Sequence, residues 1–353
     1  SNLPDPEITL PGDNFNTVLY DGNGVSGQTI SGVGFQPDFS WIKSRTMAQS
    51  NALVDVLRGS VSYRFDLQSD NTGVEHEDTD KVGVLNSDGF TLVGGSSQVN
   101  NATATYVAWN WLAGGTGVAN TTGTLDAVVS ANTTAGFSIV KFDETGTGAD
   151  ATIGHGLSQR PELVIGKPYT DADAWRVGSD YQASTVDWEE ILLLNTTAVV
   201  GPKASVFDGA DYPAGPTASI IYMGDDGLNN TGWESVLYCF HSVEGYSKIG
   251  SFTGNANADG AFVYTGFRPA FVLFKRVSGS VGTWCLKDDA RSPYNPAEAL
   301  LSPDRSDAES DEANVDFVSN GFKLRTTEGA MNAANPILYL AFAKSPFKYA
   351  NAR

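Results

Sequence analysis

Three histidines, two cysteines and forty-one carboxylates are the groups in this chain that could carry acid–base, nucleophilic or metal chemistry. A histidine base needs a proton within reach and a partner that orients its ring. His76 lies in an acidic stretch, His155 stands between two glycines, and His241 follows an aromatic segment; no two share a copy in equivalent positions, so a catalytic histidine is not expected. His155 reads as a turn residue. Cys239 and Cys285 sit inside apolar patterns and read as small buried hydrophobes, because two cysteines cannot build a disulfide framework or a metal cluster.

Carboxylate pairs about 5–10 Å apart would serve a glycosidase, but so many acids guarantee such pairs by chance. Glu189 and Glu190 after Trp188 are adjacent, and adjacent strand residues point to opposite faces, so a solvated acidic edge is the expected reading. The acid-rich stretches Asp70 to Asp80 and Asp304 to Glu312 could offer oxygens to a hard cation, yet neither has the ligand spacing of an EF-hand, and solvated loops are the default. No dinucleotide fingerprint, Walker loop, zincin helix or nucleophile elbow occurs. The expectation is no catalytic residue, no metal ligand and no cofactor, with binding residues unassigned.

The elements that would position any site come from an internal repeat. Gly34-Phe35-Gln36-Pro37, Gly156-Leu157 with Arg160-Pro161, and Gly266-Phe267-Arg268-Pro269 each precede an apolar run, and Lys43, Lys167 and Lys275 each stand six residues after the proline. Pro37 and Phe90 are 53 positions apart, as are Pro269 and Phe322. Each copy opens and closes on an aromatic strand, closing with Tyr106 to Trp111, Val236 to Phe240 and Tyr339 to Phe342. Many glycines, short apolar runs and Asn-Gly or Asp-Gly turns indicate strands; only Asp187 to Leu194 could be a short helix, and its Ile-Leu-Leu-Leu run could as easily be a buried strand. The reading is an all-β chain of three tandem, topologically similar, jelly-roll-like β-sandwich domains, each with its own core: an N-terminal arm over 1–14, repeat one over 15–113, a linker over 114–134, a divergent repeat two over 135–245, and repeat three with a C-terminal tail over 246–353.

Lys43, Lys167 and Lys275, with Arg45 and Arg276 nearby, read as end-of-strand cations paired with an acid of their own domain. Arg58 and Arg291 form a second matched pair, each after an aspartate (Asp55; Asp288 or Asp289), and read as intradomain salt bridges. A formal charge of −19 argues against nucleic acid and against an anionic membrane surface, both of which need basic clusters. No apolar stretch approaches a membrane span, and no export signal opens the chain. The sequons at Asn101, Asn120, Asn132, Asn195 and Asn229 are expected by chance in an Asn- and Thr-rich chain.

Phe15 to Tyr20, Gly34 to Phe39 with Trp41-Ile42-Lys43, Ser87 to Leu92, Tyr106 to Trp111, Gly266 to Phe271 and Pro346 to Arg353 carry a resemblance over nearly the whole chain. They resemble a repeat family of tailed bacteriophages of aquatic bacteria, whose members are described as tail-fibre-like or virion structural proteins. The resemblance implies a virion component made in the host bacterial cytoplasm, most simply a tail fibre or appendage, with other virion proteins as partners, homo-oligomerisation (a trimer by analogy with phage appendages) and adhesion to a host-surface glycan. Two alternatives stand beside it: a capsid or neck decoration, and a polysaccharide-binding lectin or depolymerase, for which Trp175, Trp188, Trp233 and Trp284 offer sugar-stacking faces if they are not core.

Overall fold

The apolar runs that follow the three prolines form the strands Phe39–Ser44, Leu163–Pro168 and Phe267–Arg276, and nearly every residue in them is buried on both faces of its sheet. The computed structural model describes residues 5–77, 79–143, 151–182, 188–201, 206–207, 215–224 and 227–349. Each run lies next to the closing aromatic strand of its repeat, Thr105–Trp111, Glu234–Phe240 or Pro336–Pro346. Beyond the closing strand lies the opening strand (Phe15–Asp21, Phe137–Asp143 or Ser247–Thr253), and on the other side lies Ala52–Asp55, Arg176–Ser179 or Cys285–Asp288. All pairings are antiparallel, and the strand order is the same in all three repeats.

The register fixes the equivalences between repeats. Phe39 faces Trp111 and Asp55; Leu163 faces Phe240 and Ser179; Phe271 faces Phe342 and Asp288. Lys43, Lys167 and Lys275 therefore coincide, opposite Val107, Val236 and Leu338. Arg45 and Arg276 do not: Arg276 takes the place of Ser44. The turn before each run needs a left-handed residue, which glycine supplies at Gly34, Gly156 and Gly266 with φ of 90°, 72° and 87°.

A second, outer sheet covers each inner sheet. It comprises Gln28–Ser31, Gly89–Leu92 and Val82–Asn86 in repeat one, and Phe262–Tyr264, Gly321–Leu324, Ser310–Val318 and Ala297–Leu300 in repeat three. In repeat two only Ala151–Gly154 and Ile220–Met223 pair there among the described residues. Phe90 and Phe322 are fully buried between the sheets at equivalent places, opposite Ile30 and Val263.

Alternation along the inner strands divides each between two cores. Tyr106 and Ala108 join the private core of repeat one, whereas Val107, Trp109 and Trp111 point the other way. That second face meets the matching faces of the other repeats in one shared cluster, which holds Phe15, Phe39, Phe240, Phe271 and Phe342 among others. Phe39 stacks on Tyr238 with centroids 4.4 Å apart, and Phe15 on Phe342 at 4.8 Å. The void left where the three repeats meet is about 10 Å³ and wholly apolar in lining, so it stays dry.

Two expectations change. The repeats are not separate beads with one core apiece, because their inner faces are too apolar to be left in water. The stretch 114–134 is not a plain linker: Val118–Asn120 and Ala127–Asn132 extend the inner sheet of repeat two beyond Phe137–Asp143. The proposed helix at Asp187 to Leu194 begins outside the described residues, and its remainder holds the short strand Leu192–Leu193. Residues 1–4 of the arm, Gly146 to Gly148, Asp208 and the tail 350–353 also lie outside the described residues.

Candidate functional site

The repeated polar residues converge on the seams between repeats, and equivalent hydrogen bonds recur at each seam. The carbonyl two residues past each lysine accepts a backbone N–H from a loop of the neighbouring repeat: Glu75 to Tyr169 at 2.8 Å, Val200 to Val277 at 3.1 Å, and Glu309 to Arg45 at 2.8 Å. These run from repeat one to two, two to three, and three back to one, so the three seams close a ring. A side-chain set runs the same circuit. Trp175 Nε1 donates to the Gln68 carbonyl at 2.9 Å, Trp284 Nε1 to that of Leu193 at 3.0 Å, and Asn51 Nδ2 to that of Ser302 at 3.4 Å.

Buried ion clusters lie just inside two of the seams. Arg58 Nε binds Asp55 at 2.7 Å, its Nη1 binds Glu75 at 3.2 Å, and Tyr238 of repeat two donates its hydroxyl to the same Asp55 at 2.8 Å. Arg291 repeats this with Asp288 at 2.5 Å and Glu309 at 3.0 Å, while Trp109 of repeat one donates its indole N–H to Asp288 at 3.0 Å. The acid before Arg291 is thus settled as Asp288. Burial disfavours the Arg58 charge, but Asp55, Tyr238 and Glu75 outweigh it and hold its pKa above the ordinary value. Glu309 also takes Arg45 across the seam, at 2.7 Å, and two guanidiniums overcome its burial and depress its pKa. Glu75 has a single guanidinium, and burial keeps its pKa raised.

The three matched lysines are not paired with acids of their own domain. Lys43 Nζ donates to the Gln49 carbonyl at 2.5 Å and, across the seam, to that of Ser306 at 2.9 Å. Lys275 donates to Gly282 at 2.7 Å and, across the next seam, to Thr196 at 3.1 Å. Lys167 donates to Pro168 at 2.5 Å and Asp171 at 3.2 Å, within its own repeat. Removal from water lowers each to about 8. The geometry explains the pattern: the lysine stem lies in the core layer and the hydrogen bonds at its end go to main-chain carbonyls, with Lys275 Nζ also 5.3 Å from the centre of the Trp284 ring.

The other sequence candidates do not assemble. His155 is buried between the Thr217 carbonyl and the Leu157 N–H, and burial lowers it to about 4. His241 Nδ1 lies 3.0 Å from the Ser242 carbonyl, and His76 bridges Asp66 through its backbone. Both cysteines are free and buried, which pushes their thiols up to about 12. Trp175, Trp188 and Trp284 are core residues, at most 1% exposed, so they offer no sugar-stacking face; Trp233 is half-buried. Among the described residues no three His, Cys, Asp or Glu side chains converge on a metal position, and no helix is long and apolar enough to cross a membrane. The acidic stretches serve the seams: each places one glutamate, Glu75 or Glu309, on the buried arginine of its own repeat.

A family model described as "Domain of unknown function (DUF7483)" matches residues 10–346. The chain belongs to that family. The match spans all three repeats and every seam residue named above. No curated protein and no solved structure matches the chain.

Sequence reasoning missed Glu75, Glu309 and the seam carbonyls. The glutamates are hidden among many acids, but a signal existed: each stands 17 or 18 residues past a matched arginine, inside stretches already seen to be equivalent.

Proposed function

We propose that this chain is a structural component of a tailed-bacteriophage particle, a tail fibre or appendage part that enters assembly as a preformed three-lobed block. The observation that supports it best is the closed circuit of equivalent seam bonds. The recurring residues at the seams hold the repeats to one another, and those residues are not arranged around a reacting atom. A single chain supplies a three-lobed body, so seating on a threefold axis does not require three copies. The reading assigns no catalytic centre to the chain.

Particles of the phage that encodes the chain provide the test. Mass spectrometry of purified virions should find the protein in stoichiometric amount, and a cryo-EM map should contain its three-lobed density on the tail. Density on the capsid or neck would favour a decoration, and absence from the particle would end the proposal. Incubation with host polysaccharide should release no new reducing ends; time-dependent release abolished by one Asp or Glu substitution would make the chain a depolymerase.

A further inference from the structure

The repeats provide an internal control for surface residues, and repeat three departs from it at one edge. Its outer edge strand Phe262–Tyr264 exposes both aromatics, Phe262 at 49% and Tyr264 at 62%, with Val263 buried between them. Register places Thr29 and Ser31 at the same points in repeat one, because Ile30 faces Phe90 as Val263 faces Phe322. Two small polar residues suffice to build that edge, so folding does not require the aromatic pair. Exposed large aromatics of this kind call for a reason other than the core.

Tyr264 forms one wall of a cleft of about 610 Å³, a size suited to a small ligand or a few linked rings. Four segments distant in sequence meet there: the N-terminal stretch at Glu7, the turn at Glu244 to Lys248, the end of the edge strand, and the C-terminal stretch at Phe347 and Lys348. The Tyr264 side chain passes beside Gly266, its hydroxyl 3.7 Å and its ring edge 3.9 Å from where a Cβ would stand, and Phe347, 39% exposed, adds a second aromatic surface. Around these rings stand Glu7, Glu244 and Lys248, with Lys348 held to Asp5 at 2.6 Å.

We propose that this cleft binds a neutral oligosaccharide. An aromatic face takes the C–H side of a pyranose, and carboxylates and ammonium groups at the rim accept from and donate to its hydroxyls. Three carboxylates against two lysines, on a chain of net charge −19, disfavour a polyanion. The site stands on repeat three whether or not the chain belongs to a phage particle.

Calorimetric titration of the full chain with chitohexaose, maltohexaose, cellohexaose and mannohexaose, and with a hyaluronan hexasaccharide as the anionic probe, tests this. At least one neutral probe should bind with a Kd of about 10–1,000 μM. Tyr264→Ser, which copies the residue of repeat one, should weaken it about tenfold or more with an unchanged melting temperature. Tyr264→Phe should retain binding, because the ring face is kept. Silence from all four neutral probes, binding of the anionic probe alone, or equal affinity in Tyr264→Ser would each overturn the proposal. None of these outcomes bears on whether the protein is found in virions.

Discussion

Repeats one and three differ from repeat two at one buried ion cluster, and they differ there as a set. Asp55, Arg58 and Glu75 correspond to Asp288, Arg291 and Glu309, but repeat two has Ser179, Gln182 and Val200 at those positions. All three charges are absent together. An arginine left in the core without its carboxylates, or the reverse, costs several kcal/mol, whereas a complete set and an uncharged set are both tolerable. The neighbouring repeats follow suit. Trp109 and Tyr238 offer a donor to each charged cluster, and the residue at the same place in repeat three is Leu340, which has none. The ring therefore needs matched seams, not identical ones.

Breaking one set should have the largest effect. Arg291→Ala leaves Asp288 and Glu309 buried without their cation and removes the guanidinium that lies 5.4 Å from the centre of the Trp109 ring. A loss toward the upper end of about 3–5 kcal/mol is expected from urea denaturation. A loss under about 1 kcal/mol would mean that the cluster is incidental.

Next come Phe322→Ala and Phe90→Ala, which open a cavity at equivalent points of two private cores. Each should cost about 3 kcal/mol or more, with similar values because the sites are equivalent. Unequal values would show that one outer sheet collapses onto the gap and the other does not.

Converting repeat one to the residues of repeat two sharpens the comparison. The triple substitution Asp55→Ser, Arg58→Gln and Glu75→Val should cost only about 1–2 kcal/mol, less than Arg58→Ala alone, since no charge is left unpaired. The remaining loss reflects Tyr238, whose hydroxyl gives up its aspartate. A triple variant less stable than the single one would refute the idea that the set acts as a unit.

Much of this was legible from residue types and offsets. The Pro-to-Lys and Pro-to-Phe spacings located equivalent strands, and an arginine three residues past an aspartate marked its own partner. The shared core was not legible, because an alternating strand with two apolar faces does not say what covers the second one. Burial by a second sheet and burial by a neighbouring repeat demand the same residues. The seam bonds were hidden for another reason: their acceptors are main-chain carbonyls of Ser306, Thr196, Tyr169 and Val277, which any residue type provides. Exposed Tyr264 became informative only when the register placed Ser31 beside it as a control.

The smallest expected change is one of slope with pH, and it again separates the repeats. Lys43, Lys167 and Lys275 are lowered by burial to about 8, and repeat three adds Lys287, which burial and Arg291 also lower to about 8. In the unfolded chain these groups keep their protons to about 10.5. Between pH 8 and 10 the unfolded state thus holds more lysine protons than the folded one, which makes stability rise with pH. Cys239 and Cys285, whose thiols burial raises to about 12, ionise in the unfolded state alone and offset part of the rise. Above about 10 the buried tyrosines reverse the trend, since Tyr20, Tyr238 and Tyr246 are raised by burial while unfolded tyrosine ionises. Urea midpoints should therefore climb from pH 7.5 to 9.5. Lys287→Val, which places in repeat three the Val54 of repeat one, should flatten that climb by about one proton's worth, with Lys275 still contributing. A midpoint that falls steadily across this range would mean that the carbonyl oxygens around each Nζ stabilise the ammonium fully, and that burial leaves these lysines charged at no cost.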